Sequence, residues 1–127
     1  MRMTLAIIER AYRGAVEEQY GHVIWYMQMH RKIRDLVDVL LRGNAIFYAL
    51  REQKAQSLTI GGMDLSCLPF YELSIRDLIN DGAEVYVYAN DMKLFGVQSD
   101  QLVPGVRELD VNGVVAAMNN HMYICHY

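Results

Sequence analysis

Gly82-Ala83-Glu84-Val85-Tyr86-Val87-Tyr88-Ala89-Asn90-Asp91-Met92-Lys93-Leu94-Phe95-Gly96-Val97 is the stretch whose reading decides the fold. Asp81-Gly82 is a helix stop, because glycine accepts the left-handed conformation in which helices commonly end. The β-branched and aromatic run 84–88 that follows is a strand, and Asn90-Asp91 can cap the next helix. The strand is short and mostly apolar, without a long alternation of apolar and polar residues. That pattern predicts a strand covered on both faces, as in a parallel sheet with helices above and below. In such a sheet ligands bind beyond the C-terminal ends of the strands, so residues 88–91 are the first place to look for a site.

Composition sets the limits. With 127 residues the chain has the length of one domain, read here as 1–127. Hydrophobic residues make up 53% and charged residues 21%, a soluble composition whose apolar surplus points to a subunit interface. A net charge of -3 with only 12 Lys and Arg provides no basic stripe, which argues against nucleic acid as a partner. No apolar run approaches the ~20 residues of a membrane span. The opening residues 1–9 lack the long apolar core and small-residue cleavage site of a secretory signal, so they read as a first strand in a cytoplasmic protein. The two cysteines, Cys67 and Cys125, lie outside any Cys-x-x-Cys pair, and the four histidines have no metal-ligand spacing, so no metal is expected. Gly61-Gly62-Met63-Asp64 has neither a dinucleotide-binding spacing nor a Walker lysine, and no cofactor is expected either.

Outward from the organising stretch, the same alternation recurs. Residues 4–8 form a short isoleucine-rich strand. Val16, Tyr20, Val23, Ile24 and Met27 recur at helical spacing and predict a helix over 15–33. Residues 35–41 make a second strand, stopped by Arg42-Gly43-Asn44, with Asn44 as the cap of a short helix over 45–52. Residues 53–69 show no sustained period and read as a loop. Residues 71–80 return to helical spacing and lead into the third strand, 84–88. Then come a short helix over 91–95 stopped by Gly96, a helical turn at 99–102, a strand at 106–109, a helix capped by Asp110 and running to 120, and a last strand at 122–126. Five strands alternating with helices predict an α/β fold: a three-layer α/β/α sandwich around a five-stranded parallel sheet with right-handed crossovers.

If the first three strands are neighbours, Glu9, Arg13, Arg42, Asn44, Asn90 and Asp91 gather at the C-terminal edge of the sheet. Arginine forks around one crevice suit a small anion or polar metabolite. The structural alternative is an ion-pair network with Asn44 and Asn90 as helix caps. Nothing in the chain demands catalysis: there is no nucleophile elbow and no carboxylate pair spaced for hydrolysis.

Several strings in succession, Val39-Leu40-Leu41-Arg42-Gly43-Asn44-Ala45-Ile46-Phe47-Tyr48-Ala49-Leu50, then Leu78-Ile79-Asn80-Asp81-Gly82-Ala83-Glu84-Val85-Tyr86-Val87-Tyr88-Ala89-Asn90-Asp91, then Gly96-Val97 with Leu102-Val103-Pro104-Gly105-Val106, resemble the DsrE/DsrF-like family of small sulfur-relay proteins. The resemblance covers most of the chain apart from 53–69. It implies the same three-layer fold, a homo-oligomer (trimer or hexamer), and a relay protein partner. In that family a cysteine at the end of the third strand carries a persulfide. Here Tyr88 falls near that register and no cysteine lies within 83–95, so the family's activity does not transfer to Tyr88. Cys67, in a segment before a helix start where backbone N–H groups favour a thiolate, is the remaining candidate for a sulfurtransferase-like carrier. Cys125, inside a strand, is expected to be inert. Two function classes stay open: sulfur relay through Cys67, or a non-catalytic oligomeric module that binds a small polar ligand or relay partner through Glu9, Arg13, Arg42, Asn44, Tyr88, Asn90 and Asp91.

Overall fold

The computed structural model describes residues 2–10, 23–32, 37–54, 58–65 and 70–127. In order along the chain these form β1 (Arg2–Ile8), α1 (Val23–Lys32), β2 (Val37–Leu41), a 3-10 helix (Gly43–Ala49), β3 (Leu58–Ile60), β4 (Met63–Leu65), α2 (Tyr71–Asn80), β5 (Val85–Tyr88), α3 (Ala89–Phe95), a 3-10 turn (Ser99–Gln101), β6 (Arg107–Leu109), α4 (Val111–Asn119) and β7 (His121–His126). The expected five-stranded parallel sheet is present, in the order β6-β5-β2-β1-β7.

That order follows from the handedness of the connections. The chain begins near the middle of the sheet with β1 and steps through β2 and β5 to β6. It then returns across the sheet through α4 to place β7 on the far side of β1. Right-handed crossovers that run one way lay their helices on one face, and the crossover that runs back lays its helix on the other. On the first face Ile24 and Met27 of α1, Ile75 and Leu78 of α2, Ile46 and Tyr48 of the 3-10 helix and Met92 of α3 pack on Ala6, Ile8, Val39, Leu41, Val85 and Val87. On the second face Leu5, Ile7, Leu40 and Tyr86 meet Leu109 together with Val114 and Ala117 of α4.

The two faces are not equally covered. One helix about 10 Å across cannot cover five strands that together span roughly 19 Å. Accordingly Ile124 of β7, paired with Leu5 on this face, stays 45% exposed; in addition no residue of α4 is buried, and Val111 and Val115 are about half exposed.

Three local expectations change. Residues 53–69 are not all loop: β3 and β4 pair antiparallel around Gly61-Gly62, whose positive φ values suit a two-residue hairpin turn. The short helix after β2 is a 3-10 helix that starts at Gly43, one residue ahead of Asn44, and no side chain of its own caps it. Asn90 is not a cap either, since α3 begins at Ala89 and Asn90 lies inside its first turn. Asp110 does cap α4, accepting from the Gly113 N–H. The last strand begins at His121 and runs to His126.

Candidate functional site

The period-two alternation of strands sets the second face in rows. Ile7, Leu40 and Tyr86 are directly paired across three strands and form an apolar row. Two residues further along stand Glu9 and Arg42, just past β1 and β2, and Tyr88, the last residue of β5. Arg42 Nη1 lies 3.3 Å from Glu9 Oε1, and its guanidinium carbon is 5.8 Å from the centre of the Tyr88 ring, within cation–π range. The Asn90 side-chain amide donates to the Tyr88 hydroxyl at 3.0 Å. Four of the residues expected at this edge therefore meet there.

Asp91 is at the same edge in another role. Its Oδ2 accepts from the Gly43 N–H at 2.7 Å, so a side chain from α3 caps the 3-10 helix that Asn44 was expected to cap. Gly43 is required here: its φ is +58°, and a Cβ would come to 2.8 Å from the Glu9 carbonyl oxygen. The Arg42 N–H donates to Ile8 O at 2.9 Å, which fixes where the Arg42 side chain leaves the strand. Asn44 is exposed at the edge. Arg13 and Cys67 lie outside the described residues.

The structure adds a member that sequence reading missed. His126, the last residue of β7, places Nε2 3.1 Å from Glu9 Oε1. The hydrogen bond from His126, with the charges of Arg42, His126 and Arg10, holds the Glu9 carboxyl below its ordinary range against the opposing effect of desolvation. Nothing local in the sequence joins residues 9 and 126. Their meeting depends on β7 pairing beside β1.

Behind this polar rim lies a pocket of about 170 Å3 between the sheet and α4. Ile7 and Leu40 form its floor, Val111, Val114, Val115 and Met118 its helical wall, and Arg42 and Tyr88 its mouth. Its signal in the sequence is the apolar run Val114-Val115-Ala116-Ala117-Met118 of α4, which covers more than one side of the helix and so does not by itself reveal which side faces the sheet.

A second polar cluster was also missed. Asp38, fully buried in β2, accepts from both Arg2 Nε and Arg2 Nη2, from the Glu84 N–H at 2.8 Å, and faces His121 Nε2 at 2.8 Å. His121 Nδ1 is 2.6 Å from Ala117 O. The signal was present as the one acid inside Val37-Asp38-Val39-Leu40-Leu41, since a charge in a buried strand needs partners. Among the described residues no group of three metal-ligating side chains occurs, and no helix is long and apolar enough to cross a membrane.

Site and sheet together define an α/β protein with an apolar pocket, rimmed by Arg42 and Tyr88, at the C-terminal edge of a parallel sheet. No family model and no curated protein matches the sequence. Among solved structures, the ychN protein from E. coli is similar over 100% of both chains with a TM-score of 0.72 at 13% identity. A protein of unknown function, MTH1491 from Methanobacterium thermoautotrophicum, is similar over 97% of this chain and 99% of that one, with a TM-score of 0.63 at 12% identity. These likenesses agree with the DsrE-like fold implied by the sequence strings, and at such identity they concern the fold alone.

Proposed function

We propose that this protein is a non-catalytic binding module of DsrE-like fold that holds a small polar ligand at the C-terminal edge of its sheet. The observation that carries this reading is Arg42, set over Tyr88 at the mouth of the pocket, where a thiol would be needed for sulfur chemistry at the third strand of the sheet. A phenol cannot hold a sulfane sulfur, whereas an arginine fork at strand ends is suited to an anion.

The second reading is sulfur relay through Cys67, with a relay protein as partner; the family resemblance of the sequence strings favours it. Incubation with a sulfane-sulfur donor followed by mass spectrometry separates the two. The binding reading expects no added sulfur, and one sulfur retained on Cys67 would replace it with the relay reading.

Self-association belongs to the proposal. β7 pairs with β1 on one side and has no other partner strand among the described residues. Its Met122, Tyr123 and Ile124 are 55%, 57% and 45% exposed. An apolar edge strand invites cover by another chain, and a trimer or hexamer is the assembly that the resemblance implies. Sedimentation at micromolar concentration that finds only single chains would remove this part. A cytoplasmic location is the compartment in which two thiols outside any pairing motif are ordinary.

A further inference from the structure

The pocket's lining narrows the chemistry of its ligand, provided that the binding reading above holds. Six of its eight lining residues, Ile7, Leu40, Val111, Val114, Val115 and Met118, are apolar, and none of the six side chains offers a hydrogen bond to a sugar or a base. A polar group driven in among them would lose its water without compensation. The polar residues, Arg42 and Tyr88, are both at the mouth. The pocket therefore distinguishes the two ends of a ligand, an apolar end inside and a charged end at the rim.

The charge at the rim limits the anion. Arg42 already faces Glu9, and Glu9 is also held by His126 at 3.1 Å. A dianion such as phosphate would meet one guanidinium with a carboxylate beside it, which is poor complementarity. A planar monoanion can take the Arg42 fork while Glu9 keeps His126, so carboxylate is exchanged for carboxylate. Size limits the tail. The pocket holds about 170 Å3, and an apolar cavity of about 150 Å3 is enough for benzene.

We infer that the cleft between α4 and the sheet binds a small monocarboxylate whose apolar tail has about the bulk of a benzene ring, with the carboxylate on Arg42 and the tail between Leu40 and Val115. The incomplete cover that α4 gives the sheet is then what makes room for the tail. The ligand's own apolar surface completes this part of the core.

The test uses the full chain and four probes, hexanoate, benzoate, acetate and 1-hexanol, followed by methyl NMR of Ile7, Leu40, Val111, Val114, Val115 and Met118. Hexanoate and benzoate are expected to shift the Leu40 and Val115 methyl signals in a saturable way. Their affinity should fall at least tenfold in Arg42→Gln and in Val115→Phe, which fills the pocket from a half-exposed position. If acetate binds as tightly as hexanoate through Arg42, the apolar-tail inference is overturned while the polar-ligand reading of this edge stands. If 1-hexanol matches hexanoate, the carboxylate part is overturned. If the Val111 and Val115 signals respond to protein concentration and not to the probes, a second copy occupies the cleft and the inference is overturned. If no probe binds in an Arg42-dependent way, the inference is overturned, while the binding reading is decided separately by the sulfane-sulfur test.

Discussion

At the N-terminal edge of the sheet, Asp38 is fully buried and its two oxygens face four donor atoms, from Arg2, His121 and the Glu84 backbone. At the C-terminal edge, Glu9 and Arg42 face each other at 3.3 Å with side chains 37% and 47% exposed, above a pocket that no side chain fills. Both ends carry an Asp or Glu, an Arg and a His. In the first the Asp38 and His121 side chains are 0% exposed and only Arg2, at 36%, reaches solvent, so the acid is satisfied within the cluster and fixes how β2, β5 and β7 start. The second is open, so its arginine can change partners at little cost to the fold. The same residue types act as a structural clamp or as a binding rim according to whether water reaches them.

Removing the buried acid breaks the first half of this contrast and gives the largest expected effect. Asp38→Ala leaves the His121 side chain, 0% exposed, and the Glu84 N–H without their partner. A loss of about 2–5 kcal/mol is expected, from two buried donors left unsatisfied at about 1–3 kcal/mol each, read from the urea midpoint. A midpoint that barely moves would mean that the cluster is not a clamp. Acid sharpens the same point. Burial alone would push the Asp38 carboxyl up, but the Arg2 hydrogen bond, the Glu84 N–H, His121 and the Arg2 charge together hold it below its ordinary range. Its folded pKa is thus below the unfolded one, near ~3.9. The stability it contributes is present above that pH and is lost as the pH falls through the folded value. The wild-type protein should therefore weaken below about pH 4, and Asp38→Ala should show a shallower acid limb.

Gly43→Ala is expected to affect both stability and site. Alanine at φ +58° is strained, and its Cβ would press on the Glu9 carbonyl at 2.8 Å. A cost of about 1–3 kcal/mol is expected, together with weaker probe binding because Glu9 and Arg42 no longer share one row. A variant of wild-type stability and affinity would show that β1 yields at that point and that the row does not depend on the glycine.

The open end of this contrast was legible in the sequence, for a physical reason. Short, mostly apolar runs such as 4–8 and 85–88 mark buried parallel strands. Once those strands are neighbours, alternation alone sets Glu9, Arg42 and Tyr88 side by side. What escaped depends on contacts between distant segments. Asn44 and Asn90 had the composition of caps, but the Gly43 N–H is capped by Asp91, 48 positions away. His126 and His121 gain their partners only when β7 docks on the opposite edge from β6. The β3–β4 hairpin had a local signal, Gly61-Gly62 between short β-prone runs, which the search for longer periods passed over.

The smallest expected change in stability is at Arg42, and it is the most informative about function. An exposed ion pair is worth roughly 0–1 kcal/mol, because water screens the charges and two long side chains lose freedom when held together. Arg42 is 47% exposed and Glu9 retains His126 when the arginine is gone. Arg42→Gln also keeps two of the three methylenes of the arginine stem. Its urea midpoint should therefore stay close to wild type, within the few tenths of a kcal/mol typical of surface substitutions, while Arg42-dependent binding of hexanoate disappears. A marked loss of stability in Arg42→Gln would make this rim a second clamp and erase the difference between the two ends of the sheet. A stable variant that has lost its ligand would place the protein's binding function on the open end.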